Sequence, residues 1–237
     1  MKSTDRFNSQ DNGIRPENCV LILVDYQTLL LLGIQSHDRT RLTQNIVGLA
    51  KAARAFEVPM VKTTMAASDF GGPIIPELRR VFPDLRIHTR TTINAWEDEE
   101  LVSRVKEFRR KNLIIAGLWT ELSLSFPALS ALENGYNVYF AADCCGAVNA
   151  EAHQIAIQQL IQAGARPRTW QQILFVWQRD WACLDTAQAV QDIIRGHGSA
   201  FPPSAIYTRG ASIGAEAGRV LQAPRRSVRP VGMGKTS

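Results

Sequence analysis

Short continuous apolar runs alternate along this chain with stretches in which apolar residues recur every three or four positions. Val20 to Asp25, Val58 to Thr64, Leu113 to Gly117 and Asn137 to Ala142 are runs of the first kind, and Arg86 to Arg90 is a weaker one. Such runs read as strands buried on both faces. Pro59 stands at the entry of the second, where a missing N–H is tolerated. Helical spacing appears in Ile46, Leu49, Ala50 and Ala53, then in Leu101, Val105 and Phe108. It returns in Leu122 to Glu133, which Gly135 stops, in Ile157, Leu160, Ile161 and Gly164, and in Val190, Ile193 and Ile194. Arg168 to Trp170 reads as the start of a sixth strand. Alternation of this kind predicts an α/β fold: a three-layer α/β/α domain around a central, mostly parallel, doubly wound sheet.

The pattern fades at both ends. Residues 1–17 are polar and mixed in charge and read as an N-terminal extension without the apolar core of a secretory signal. Residues 18–196 hold the periodic body. Residues 197–237 are rich in Gly, Pro and Arg and read as a basic tail. The net charge of +5 matches the balance of this tail alone, six cations against Glu216, so the body is neutral overall. That removes the argument for a basic groove and makes nucleic acid an unlikely partner, with salt-sensitive binding through the tail as the residual possibility. The apolar run Cys19 to Val24 is far short of the roughly 20 residues a membrane helix needs, so no membrane role is expected. Cys19, Cys144, Cys145 and Cys183 show no zinc spacing and read as reduced thiols of a cytoplasmic protein.

Open α/β sheets take ligands beyond the carboxyl ends of their strands. The polar residues expected there are Asp25, Thr63 and Thr64, Arg90, Ser123 and Asp143. Asp25 follows an apolar run, and a buried carboxylate needs a cation or donors beside it, for which Arg90 is the candidate. The competing reading is a strand-end aspartate capping a helix. Ser123 falls near a helix start, where an oxyanion or anionic ligand is favoured, or where a serine simply caps. No glycine-rich dinucleotide or phosphate loop follows a strand, so NAD and ATP are not expected. His37, His88, His153 and His197 form no pair at metal spacing, and no G-x-S-x-G elbow exists.

Val24-Asp-Tyr-Gln27, Pro73-Ile-Ile-Pro-Glu-Leu78, Ile93-Asn-Ala-Trp96, Gly117-Leu-Trp-Thr-Glu-Leu-Ser123, Phe126-Pro-Ala-Leu-Ser-Ala-Leu132 and Arg179-Asp-Trp181 occur in this order. Together they resemble the isochorismatase-like cysteine hydrolase superfamily, most closely its YcaC-like branch, over roughly residues 18–195. The resemblance implies a hydrolase with an Asp, a Lys and a nucleophilic Cys. Carried over residue by residue, these fall on Asp25, Arg90 and Ser123, so two of the three depart from the pattern. It also implies an oxyanion hole from the N–H groups of Leu122 and Ser123, and a cis peptide at Trp119–Thr120. Gln27, Asn94, Trp96, Trp119 and Phe126 are the candidate pocket residues, with core packing the alternative for the aromatics and a subunit contact for Phe126.

A serine hydroxyl is a far weaker acid than a thiol, and arginine keeps the charge of lysine but does not titrate. The expected function is therefore hydrolysis of a small amide or carboxylate compound by a variant Asp-Arg-Ser triad. The alternative is a catalytically silent binding or assembly protein. Vinyl-ether cleavage by a protonated aspartic acid is disfavoured, because an adjacent Arg90 favours the ionised carboxylate. The Asp/His/His metal cluster of the nicotinamidase branch is missing from Ser68 to Gly72, so neither a metal nor another cofactor is expected. A homo-oligomer is implied, an octamer among the possible forms.

Overall fold

The computed structural model describes residues 13–66, 70–84 and 86–198. The apolar runs become six strands: β1 Cys19–Val24, β2 Met60–Met65, β3 Ile87–Arg90, β4 Asn112–Gly117, β5 Asn137–Ala141 and β6 Arg166–Arg168. All pair in parallel in the order β3-β2-β1-β4-β5-β6. Every residue of β1 and β4 is buried, as their unbroken apolar character requires. The helices are α1 Thr28–Leu32, α2 Arg39–Ala55, α3 Pro76–Val81, α4 Glu99–Glu107, α5 Ser125–Glu133, α6 Ala150–Gln162, α7 Trp170–Gln178 and α8 Leu184–His197. They cover the sheet in a three-layer α/β/α sandwich, with α2 packed on α3, α7 and α8 and with α5 packed on α6. Strand order reverses between β1 and β4, so a crevice opens beyond their carboxyl ends.

Two expectations about elements need correction. The sixth strand lies at Arg166–Arg168, and Trp170 opens α7 instead of continuing the strand. The cause is a capping box: Thr169 accepts the Gln172 N–H while the Gln172 side chain accepts the Thr169 N–H. The helix expected from Leu122 begins at Ser125, preceded by a wider π-type turn over Thr120–Leu124. The tail expected at 197–237 lies outside the described residues except His197, which ends α8, and Gly198. Of the N-terminal extension only residues 13–17 are described. No described helix is long and apolar enough to cross a membrane.

Candidate active site

The carboxyl ends of β1, β2, β3 and β4 bring four polar groups together. Asp25 leaves β1 with φ +59°, a left-handed conformation that Asp and Asn tolerate better than most residues. Its backbone is fixed by donation of its N–H to Thr63 O at 2.9 Å. Arg90, the last residue of β3, reaches Asp25 with both arms of its guanidinium: Nη1 to Oδ1 and Nη2 to Oδ2, each at 2.7 Å. Both side chains have no solvent exposure. Nη1 also donates to Thr63 Oγ1 at 3.2 Å, and Nη2 to Ile93 O at 3.3 Å. Ser123 completes the group, its hydroxyl donating to Asp25 Oδ2 at 2.6 Å. The Met65 N–H donates to Oδ1 at 2.9 Å.

Asp25 thus accepts four hydrogen bonds, two on each oxygen, which occupies the roughly four lone-pair sites a carboxylate offers. Bidentate, charge-assisted bonds of this kind are the strong ones, and at a buried pair the geometry decides whether desolvation is offset. The helix-cap alternatives for Asp25 and Ser123 do not describe what these side chains do. Asp25 spends its oxygens on Arg90, Ser123 and Met65, while α5 is entered through Leu124 and has no side-chain cap.

Local sequence explains how Ser123 comes so close. Gly117 ends β4 directly beneath the Thr120–Leu124 turn. A Cβ at Gly117 would stand 2.9 Å from Ser123 O, closer than real contacts allow, and a tight 3.1 Å from Val24 O. Hydrogen at this position lets the turn settle onto the strand ends. Thr120 pins its start, donating its N–H to Gly146 O at 2.9 Å and pairing its hydroxyl with His153 Nδ1 at 2.9 Å.

Two details of the turn correct the expectations above. The cis peptide is Leu118–Trp119, one bond upstream of Trp119–Thr120. The N–H groups of Leu122 and Ser123, expected to form an oxyanion hole, both donate to Trp119 O, at 3.0 and 2.8 Å. The wide π-type turn points these donors back into its own backbone.

The pocket candidates separate into different roles. Gln27 is fully buried and spends its amide internally, donating to Met65 O and Gly72 O and accepting the Met65 N–H. A Cβ at Gly71 would collide with that amide. Gln27 therefore latches the segment after β2 onto the segment after β1. Asn94 accepts the Trp96 N–H at 3.0 Å and donates to Ser130 Oγ at 3.0 Å, fastening the loop after Arg90 to α5. Trp96 is buried, edge-on to Tyr136 at 5.4 Å. Trp119 is half-buried, donating its indole N–H to Leu30 O and meeting Phe70 edge-on at 6.1 Å. Phe126 stands on the surface with 40% exposure.

The thiols lie apart from this group. All four cysteines are free. Cys145 is buried against Ala141 O and Gly117 N, and burial pushes its thiol up to about 12. Burial raises Cys144 also, with Asp143 adding to the effect. Neither has the electropositive, accessible setting a thiolate nucleophile needs. Among the described residues no cluster of three or more His, Cys, Asp or Glu side chains could hold a metal ion.

Sequence reasoning named the three side chains that meet but missed the Gln27 latch and the Met65 N–H. The available signal was the unit Val24-Asp-Tyr-Gln27. Its last residue lies two beyond Asp25, and its N–H donates to Asp25 O at 2.7 Å, so the same turn that aims the carboxylate aims the amide.

Comparison with known proteins places the chain in a lineage. Residues 19–172 match the isochorismatase domain model. The probable hydrolase YcaC of Escherichia coli K12 is 37% identical over 165 residues, covering 69% of this chain and 79% of its own. A YcaC structure from Pseudomonas aeruginosa, with hexane-2,5-diol and covalent acrylamide, superposes with a TM-score of 0.74 at 32% identity, covering 78% of this chain and 91% of that one. The Escherichia coli YcaC structure, an octameric hydrolase of unknown specificity, gives 0.74 at 34% identity over 78% and 90% of the two chains.

Proposed function

The chain belongs to the isochorismatase family and resembles its YcaC-like members, and on that premise we propose that it hydrolyses a small amide or a related carboxylate compound through Asp25, Arg90 and Ser123. The observation that carries this reading is the 2.6 Å hydrogen bond from the Ser123 hydroxyl to Asp25 Oδ2. It aligns a nucleophile with a base, as covalent catalysis requires. Ser123 Oγ attacks the carbonyl carbon while its proton passes to Oδ2. The proton then goes to the leaving nitrogen as the C–N bond breaks, and water cleaves the acyl-serine ester. Arg90 does not exchange protons. Its fork holds the carboxylate in register through two strands at once. Ser123 takes the place that a cysteine holds in the superfamily pattern.

A second reading has its own support. The lone pair that would receive the Ser123 proton shares its oxygen with Arg90 Nη2, and the Leu122 and Ser123 N–H groups are committed to Trp119 O. A site so fully bonded to itself suits a protein that keeps the fold as a binding or assembly module. Turnover of a panel of small aliphatic and aromatic amides separates the two. We expect slow hydrolysis by the natural chain, loss to background in Asp25→Ala, and at least tenfold faster hydrolysis in the double variant Arg90→Lys/Ser123→Cys. Activity confined to the double variant supports the silent reading. Full turnover by Asp25→Ala removes the triad from the mechanism.

The same lineage supports self-association. The Escherichia coli relative is octameric, and Phe126 and Ile93 present exposed apolar side chains in the stretches that flank the Asn94–Ser130 contact. We place the chain in the cytoplasm, where four unpaired thiols persist.

A further inference from the structure

The face of β2 and β3 opposite Arg90 carries a second buried cation. Side chains alternate across a strand, so Thr63 and Arg90 face α4 while Lys62, Thr64 and Ile87 face α3. Lys62 is 1% exposed. Its ammonium donates to Phe82 O at 3.2 Å and lies 5.9 Å from the Phe82 ring centroid. An ammonium has three donors, and this contact uses one. No carboxylate among the described residues forms an ion pair with it. A cleft of about 310 Å³ opens against it. Lys62 and Thr64 form its floor, Ile74, Phe82 and Ile87 its apolar walls, and Arg79 of α3 its exposed mouth. Lys62 and Arg79 are the two charged residues that line it among the described residues.

We propose that this cleft binds a small organic carboxylate, its anionic end between Lys62 and Arg79 and its apolar body against Phe82, Ile74 and Ile87. A buried charge is costly unless it is paired, and an anion entering here would supply the missing partner. The volume falls at the small end of the range for ligand pockets, and apolar walls with a few convergent polar groups are their usual composition. Inorganic anions would meet the two charges but leave the walls uncovered. The site is separate from the Asp25 group: the two lie on opposite faces of the same strands and share no side chain.

Protonation gives the site a signature. Burial, with Arg79 adding to it, lowers the Lys62 ammonium to about 8. The carboxylate binds the charged form, so affinity falls about tenfold between pH 7 and pH 9, and bound ligand raises the titration midpoint of Lys62.

The test uses the full chain labelled with 13C at lysine Cε, with benzoate as the probe and inorganic phosphate as the comparison. The Lys62 resonance is identified by its loss in Lys62→Met. We expect it to titrate near pH 8, to move to a higher midpoint with benzoate, and to respond more weakly to phosphate. Calorimetry should show benzoate binding weakened at least tenfold in Lys62→Met and severalfold in Arg79→Gln, an exposed position where folding is not at stake. An unmoved Lys62 titration in saturating benzoate overturns the proposal, as does unchanged benzoate affinity in Arg79→Gln. A response to phosphate equal to that of benzoate overturns the organic carboxylate as the ligand class. Benzoate bound only beside Ser123 would leave the Lys62 resonance still, so failure here is distinct from failure of the triad.

Discussion

Arg90 and Lys62 are two buried cations on neighbouring strands, and the faces they point to have solved the same problem differently. On the α4 face Arg90 meets a carboxylate fork to fork, and every oxygen lone pair of Asp25 has a donor. On the α3 face Lys62 meets a neutral carbonyl and an aromatic ring. The difference begins in the backbone. Asp25 turns into the left-handed region where β1 ends, which aims its carboxylate across β2 toward β3 on one side of the sheet. Among the described residues nothing acidic lines the cleft beside Lys62 on the other side. The residue types match their settings: arginine, always charged, where charge is answered, and titratable lysine where it is not. A buried cation tells the location of function only together with what answers it.

The comparison can be broken most forcefully from the Asp25 side. Asp25→Asn keeps a residue suited to φ +59° but removes the charge, leaving Arg90 buried and unpaired. We expect a loss of about 3–5 kcal/mol in urea unfolding, and a larger loss for Asp25→Ala, which adds backbone strain. A loss under 1 kcal/mol for Asp25→Asn would mean that Arg90 finds other partners.

Lys62→Met sharpens the contrast because its effect has the opposite sign. Removing an unanswered charge should stabilise the ligand-free protein at pH 7, by on the order of 2 kcal/mol. Folded Lys62 titrates near 8, below the usual 10.5, so between these values the unfolded chain binds the more protons. The natural chain therefore gains stability as pH rises from about 8 to 10.5, and the advantage of the variant shrinks over that window. Melting profiles of the two chains from pH 7 to 10.5 measure this directly. Ser123→Ala should have the smallest effect, about 1.5 kcal/mol, since Arg90 Nη2 still covers Asp25 Oδ2.

The α4-face group was legible in the sequence partly for a geometric reason. Strand ends in a parallel sheet converge on one crevice, which singles out Asp25, Arg90 and Ser123 together with Thr63, Thr64 and Asp143. The choice of the three was what the family resemblance implied, and Asp143, just beyond β5, accepts the Trp170 N–H instead. What stayed hidden depends on atoms that no spacing encodes. Whether the Ser123 N–H faces a ligand or Trp119 O is set by a π-type turn instead of an α-helical one, and a five-residue turn has no periodicity to betray it. The short helices α1 and α3 were invisible for the same reason. Trp170 was misread because Thr169 and Gln172 look like ordinary polar residues until their reciprocal bonds are seen. Lys62 drew no notice inside the run Val58 to Thr64, where one charged residue reads as an interruption; only the cleft beside it gives it meaning.

The pairing of Asp25 with Arg90 also decides how far each face can be felt through water. One negative and one positive charge, 2.7 Å apart at their nearest atoms, cancel at any distance beyond a Debye length of about 8–10 Å. A solute approaching Ser123 is steered by no monopole; it must arrive by ordinary diffusion and be recognised on contact. Lys62 and Arg79 add rather than cancel, and a concave mouth between low-dielectric walls focuses their field outward. Ionic strength would then govern traffic to one side of the sheet and leave the other almost untouched.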